Sequence, residues 1–392
     1  MNYESKISSA VKRIPPSGIR KYFDLLDDNY ISLGVGEPDF PTPERIRAYV
    51  AEKLKSGRVA YTSNSGDPHL RELLLKYLAY KYDITGYEGV DNVLITVGAS
   101  QGIDLAMRAL LDPGDEVIVH EPVYVSYRPA IELANGTPVT VVTKAEDRFR
   151  LRPEALRAAI TPRTKAILLA FPTNPTGAIM ERADMEAIAD VVRDTDILVI
   201  TDEIYAELTF NGKKHFSFAS LPGMRDRTIV LNGFSKAFSM TGWRLGYAAG
   251  QKDVIAAMRK VHQIMMLCAP TPAQWAAVAA LEQGFEDDFA DTRAMMAEYA
   301  VRRRFVIDSF NALGLPCNEP EGAFYVFPSV ESTGLTSEEF CDRLLASQKV
   351  VCVPGSAFGD AGEGHIRCCY ATSMDDLTHA FERIAKFLDE IR

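Results

Sequence analysis

The sequence predicts an α/β protein: a mostly parallel central sheet sandwiched by helices, with a smaller C-terminal α/β domain. Two observations carry this. Short, nearly continuous apolar runs alternate with helix-like segments through the middle of the chain, and turn residues bound each run. Strands covered on both faces read this way, because neither face is left polar. Beyond about residue 285 the pattern changes to a long helical stretch followed by new strand-like runs.

The elements follow in chain order. Residues 1–40 carry PPSG and EPDFPTP and read as an extended arm or wrap. Residues 41–285 form the expected large domain. Its strand-like runs are VLITVG (93–98), EVIVH (116–120), AILLAF (166–171), ILVIT (197–201), TIVLNG (228–233) and RLGYAAG (244–250). SQGIDLAMRALLD, PEALRAAI and ADMEAIADVVRD are the helix-like segments between them. Residues 286–392 form the expected small domain. It opens with a helical stretch over 286–313 and holds strand-like AFYVFP (323–328) and VVCVPG (350–355), with helices near 337–347 and 375–391. No internal repeat or low-complexity tract interrupts this order.

Composition narrows the function classes. With 392 residues, 47% of them hydrophobic, the chain has material for roughly two domains. A net charge of -10 disfavours long-range attraction to nucleic acid or an anionic membrane surface. The first residues lack the apolar segment of a signal peptide. No run reaches the roughly 20 apolar residues that a membrane helix needs. Six cysteines show no CxxC spacing, so no metal site is expected, and reduced thiols in a cytoplasmic protein are the plain reading.

The informative polar residues cluster at the C-terminal ends of the apolar runs. GASQG follows VLITV, PTNPTG follows AILLAF, Asp202-Glu203-Ile204-Tyr205 follows ILVIT, and Ser235-Lys236 follows TIVLNGF. Open α/β sheets bind ligands along that edge, so four segments are expected to meet at one crevice. Gly98-Ala99-Ser100-Gln101-Gly102 suits a phosphate at a helix start, though a tight strand–helix turn reads the same. Asp202 past an apolar strand calls for a cation such as a protonated ring nitrogen; a helix cap or an ion pair with an arginine is the other reading. Lys236 has aromatic and small neighbours rather than charged ones, which suits a desolvated amine able to condense with an aldehyde. Ser235 and Arg244 are within reach of a phosphate. Arg367, in strand-like GHIRCCYA, calls for an anion, either an internal carboxylate or that of a substrate.

YTSNSGDPHLRELL, GASQG, EPVYVSY, NPTG, DEIY, SKAFSMTGWRLGY and the late Arg367 stand in this order along nearly the whole chain. In that order and spacing the sequence resembles the class I/II aminotransferases of pyridoxal-phosphate (PLP) fold type I, of the aspartate and aromatic kind.

The resemblance implies pyridoxal 5′-phosphate as cofactor and assigns roles. Lys236 matches the Schiff-base lysine and Asp202 the acid that pairs with the pyridine nitrogen. Asn174 and Tyr205 match the residues that hydrogen-bond the cofactor's phenolic oxygen, and Tyr124 matches the aromatic residue on its ring face. Ala99, Ser100, Gln101, Ser235 and Arg244 match the phosphate cup. Tyr61 matches a tyrosine that reaches the phosphate in the partner subunit, which implies a homodimer with shared active sites and an arm that packs on the small domain and the partner. Gly36, Asn174 and Arg367 match the clamp on the substrate α-carboxylate. Lys236, Asp202 and Tyr205 are the expected catalytic set. The implied reaction moves an amino group between an L-amino acid and a 2-oxo acid such as 2-oxoglutarate. Ser100 stands where some aspartate-specific relatives carry a lysine, which favours an aromatic or broad donor. Arg20 in the arm is a candidate extra cation that keeps aspartate in view. A carbon–sulfur β-lyase of the same fold is the alternative.

Overall fold

A computed structural model of the chain describes residues 3–16, 18–19 and 29–391. Arg20, the candidate cation of the arm, lies outside the described residues. Strand β1 (Ile31–Ser32) closes the arm. The strands that follow are β2 (Val93–Thr96), β3 (Glu116–Glu121), β4 (Thr137–Val142), β5 (Thr164–Ala170), β6 (Leu198–Asp202), β7 (Thr228–Gly233) and β8 (Gly246–Ala249). They form one sheet in the order β2-β8-β7-β6-β5-β3-β4. Strand β8 runs antiparallel to both of its neighbours, and the other adjacent pairs are parallel.

Consecutive residues of these strands enter different cores. Ile95 and Val230 pack with Leu74, Tyr77 and Leu281 on one face. Leu94 and Leu231 pack with Ile103, Met107 and Met258 on the other. Both faces are dry, so the strands are apolar throughout and alternation is lost. Strand β4 is the exception. It sits at the sheet edge and only Val141 is fully buried, so TPVTVV did not stand out as an apolar run.

The helices follow local rules. Helix Pro68–Tyr82 starts on Asp67, whose side chain accepts from the His69 and Leu70 N–H groups. Helix Ser337–Gln348 starts on a Thr336–Glu339 capping box. Helix Met374–Ile391 buries Leu377, Phe381, Ile384 and Leu388, one stripe at helical spacing, each worth about 2 kcal/mol of transfer free energy.

The C-terminal part holds β9 (Tyr325–Val326), β10 (Val350–Val351), β11 (Val353–Pro354) and β12 (Ile366–Cys369). The order β11-β12-β9 makes a small antiparallel sheet, while β10 pairs in parallel with β1. The arm thus contributes a strand to this part of the molecule.

Three expectations need correction. The helical stretch read over 286–313 is the helix Ala290–Ala312, starting later than expected because Asp288 and Phe289, both in left-handed backbone, separate it from the preceding helix Thr271–Asp287. VVCVPG is two short strands interrupted at Cys352, because its halves pair with different neighbours. The arm is not wholly extended, since Ser9–Arg13 forms a helix capped by Ser8.

Candidate active site

A cavity of about 560 Å³ opens at the C-terminal edge of the main sheet. Four polar segments reach it from four strand ends: Ala99 and Ser100 after β2, Asn174 after β5, Asp202 and Tyr205 at β6, and Ser235 and Lys236 after β7. Tyr124 follows β3, Arg244 precedes β8, Arg367 comes from β12 and Gly36 from the arm, and all four line the same space. The expected crevice is therefore one site, assembled by the parallel strands that end together.

Two expected residues stand apart from the lining. The Gln101 side chain turns back, and its Oε1 accepts from the Val97 N–H at 2.7 Å. Tyr61 is 82% exposed and away from this chain's cavity.

Asp202 is buried at the end of β6. The Tyr127 hydroxyl donates to its Oδ2 at 2.8 Å, and the Ile204 N–H donates to its Oδ1 at 3.1 Å. Burial lifts its pKa to about 6, while these two donors hold it down. Lys236 donates to the Gly36 carbonyl at 2.6 Å. Burial lowers its pKa to about 8, so a neutral amine is accessible near physiological pH.

Arg367 is only 2% exposed. One Nη donates to Asn174 Oδ1 at 3.1 Å and the other to the Gly34 carbonyl. Its Nε has no hydrogen-bond partner, and among the described residues no carboxylate forms an ion pair with it. The reading of Arg367 as satisfied by an internal acid thus finds no partner among the described residues. A buried cation matched only by neutral acceptors is set to receive an anion.

The helix Gly98–Leu110 points its start at the cavity and has no side-chain cap. Gly98 has φ +75, and a Cβ there would meet Arg244 Nη2 at 2.8 Å. The missing side chain lets the guanidinium lie against the helix start, where Arg244 also donates to the Thr241 carbonyl at 2.9 Å.

Sequence reasoning missed two tyrosines. Tyr127 stands three residues after Tyr124 in EPVYVSY, and its ring meets that of Tyr124 edge-on. Tyr325 in AFYVFP places its hydroxyl 2.7 Å from that of Tyr205. Neither was singled out in the sequence, where each stands only within a quoted motif or strand-like run. Only their hydroxyl partners, 75 and 120 positions away, mark them as part of the site.

A doubly covered, mostly parallel sheet with a half-buried lysine and a buried acid at its strand edge, faced by an anion-seeking arginine from the small sheet, defines a class of group-transfer enzyme. The chain belongs to the class I and II aminotransferases, whose family model matches residues 28–384. It is 42% identical to an aspartate aminotransferase of Pyrococcus abyssi over 386 residues, 98% of each chain. It is also 42% identical to aromatic-amino-acid aminotransferase 2 of Thermococcus litoralis, again over 98% of each. Among solved structures, the aspartate aminotransferase of Thermus thermophilus with maleate superposes with a TM-score of 0.92 at 37% identity, covering 97% of this chain and 99% of that one. The protein is accordingly an enzyme that transfers an amino group between an amino acid and a 2-oxo acid. These relatives do not favour the carbon–sulfur lyase alternative.

Proposed function

We propose that the chain uses pyridoxal 5′-phosphate, held covalently by Lys236, to transaminate an L-amino acid of aromatic, aspartate or broad class against 2-oxoglutarate or a similar acceptor. The observation that carries this reading is that one cavity brings together Lys236 and Asp202, an uncapped helix start with Arg244, and Arg367 with a free Nε. Those features fit an aldehyde, a basic ring nitrogen, a phosphate and a carboxylate.

When bound, the cofactor supplies an aldehyde carbon that takes up the amino group and a ring that accepts an electron pair. The chain's residues do the rest. Ala99, Ser100, Gln101, Ser235 and Arg244 hold the phosphate, with Gln101 acting through its place in the first turn because its side chain is engaged elsewhere. Asp202, whose pKa burial raises to about 6 against the opposing Tyr127 and Ile204 donors, would pair with the ring nitrogen and hold a proton there. Asn174 and Tyr205, which line the same cavity, would bond the phenolic oxygen, and Tyr124 would lie against the ring. Arg367 binds the substrate α-carboxylate with Asn174 and the backbone of Gly36, which fixes the Cα–H bond relative to Lys236. Lys236 Nζ, whose pKa burial lowers to about 8, would take and return the proton at Cα.

Ile19 and Val125 line the cavity alongside its polar groups, which supports donors with apolar or aromatic side chains. A homodimer is the proposed assembly. Ile264, Met265, Met266 and Leu267 form an exposed apolar run, and Asn64 Nδ2 ties the loop that carries Tyr61 to it through the Leu267 carbonyl at 2.8 Å. Tyr61 in that position suits a residue that completes a partner's phosphate site. A division into arm (1–40), large domain (41–285) and small domain (286–392) is supported by the shared core of β9, β10, β12 and the helices Ala290–Ala312 and Met374–Ile391, a core that also takes in Leu33, Tyr205, Leu208 and Phe210. No helix among the described residues is long and apolar enough to cross a membrane, and a cytoplasmic location is proposed.

The test is Lys236→Ala. It is expected to lose the cofactor's visible absorption and nearly all turnover. Normal turnover in that variant would reject the reading.

A further inference from the structure

Tyr325 stands where three parts of the cavity meet. Its hydroxyl contacts that of Tyr205 at 2.7 Å. A Cβ on Gly36 would come within 2.3 Å of the same oxygen, so the arm backbone lies directly against it. Its ring faces the Arg367 guanidinium, 4.6 Å from centroid to carbon. The side chain is fully buried, and Phe324 crosses it edge-on at 4.9 Å. Little rotamer freedom remains.

Two touching hydroxyls share one proton between their oxygens. If Tyr205 is to donate to a bound ligand, Tyr325 must donate to Tyr205. A hydroxyl that accepts one bond becomes a better donor in the next. Burial raises the pKa of both phenols, so both keep their protons at neutral pH. The charged groups facing the pair are Arg367 and, 5.9 Å from the Tyr205 ring, Lys236; the other titratable groups facing it are the Cys369 thiol and the Tyr124 phenol.

We propose that Tyr325 is a positioning residue with two separable parts: its hydroxyl aims and strengthens Tyr205 toward the bound cofactor, and its ring holds the Arg367 guanidinium ready for a substrate carboxylate. The proposal rests on the cofactor reading given above. A weaker Tyr205 donor leaves more negative charge on the ligand oxygen it faces. A proton bound nearby is then held more tightly, and the pH midpoint of the cofactor's visible absorption moves up. Loss of the ring removes a cation–π contact in a dry site and frees the guanidinium to move.

The experiment compares Tyr325→Phe, Tyr325→Leu and Tyr325→Met in the full cofactor-loaded chain. One readout is the pH midpoint of visible absorption without substrate. The other is the dissociation constant of 3-phenylpropanoate, an unreactive carboxylate, repeated on the cofactor-free chain. The Phe variant is expected to raise the midpoint by about one pH unit, the size of one net hydrogen bond, with carboxylate affinity within about twofold of wild type. The Leu and Met variants are expected to show the same midpoint shift and about tenfold weaker carboxylate binding. Two aliphatic variants are used so that poor folding of one leaves the other. A Phe variant with an unmoved midpoint, or an aliphatic variant that binds 3-phenylpropanoate as wild type does, overturns the proposal. So does a Phe variant that loses carboxylate affinity as fully as Leu. The wild-type absorption itself tests the cofactor reading, so the two failures are distinct.

Discussion

Arg367 donates to Asn174 Oδ1 at 3.1 Å, joining residues 193 positions apart. Asn174 comes from the turn after β5 of the large sheet, and Arg367 from β12 of the small one. This bond aims the guanidinium into the cavity while leaving its Nε free. The proposed anion site therefore lies where the two sheets meet.

Arg367→Lys is expected to lower kcat/KM by about 100-fold, because lysine keeps the charge and loses the planar fork. Amino acids and 2-oxo acids both carry the α-carboxylate, so both half-reactions fall together. Stopped-flow measurement of each half-reaction checks this; a defect confined to one half contradicts the shared clamp.

Asp202→Asn is expected to abolish most activity yet stabilise the cofactor-free chain above pH 6. The folded pKa of about 6 exceeds the ordinary 3.8, so between these values the folded state binds the extra proton. The slope is negative there: stability due to Asp202 is complete below the unfolded pKa and is lost as pH rises through about 6. Replacing the acid removes a cost of about 1–3 kcal/mol at pH 8 and almost none at pH 4. Thermal melts of both cofactor-free proteins at the two pH values would show a gain in Tm at pH 8 only. Equal gains at both would contradict the assignment.

Gly98→Ala places a Cβ against Arg244 Nη2 and forces left-handed backbone on alanine. The expected cost is about 1–2 kcal/mol of stability. Phosphate affinity should fall more steeply, since the arginine is pushed from the helix start. Titration of the cofactor-free protein with inorganic phosphate measures the effect; unchanged phosphate binding would remove Arg244 and this helix start from the anion site.

Ile264→Asp is expected to halve the mass seen by light scattering at micromolar protein, with little loss of monomer stability, because Ile264 is 83% exposed in the single chain. Tyr61→Ala is expected to keep the dimer and weaken cofactor retention about tenfold, the loss of one charge-assisted hydrogen bond. A monomeric wild type would refute the shared-site assembly.

Much of the site was readable in sequence for one reason. Asp202, Asn174, Ser235 and Lys236 each interrupt or end an apolar run, so polarity out of context marks them. Tyr127 and Tyr325 were missed because a tyrosine in an apolar stretch looks the same whether its hydroxyl serves the core or a site. Strand β4 escaped because an edge strand is only partly covered. Neither position of the break at Asp288 and Phe289 is glycine or proline; the local signal is Gly284 one turn earlier, whose missing Cβ admits the Phe289 ring and whose carbonyl accepts from the Phe289 N–H at 2.8 Å.

The sequence alone determined the alternation that makes a doubly covered parallel sheet, and the residue types available at its edge. Those depend on local periodicity, which the chain writes out in order. Tertiary structure decided which of these groups act together: that Tyr127 donates to Asp202, that Arg367 finds Asn174 instead of an acid, and that the Gln101 side chain turns back to the Val97 N–H. Desolvation and contact between distant segments set those outcomes, and neither quantity is carried by any short stretch of chain.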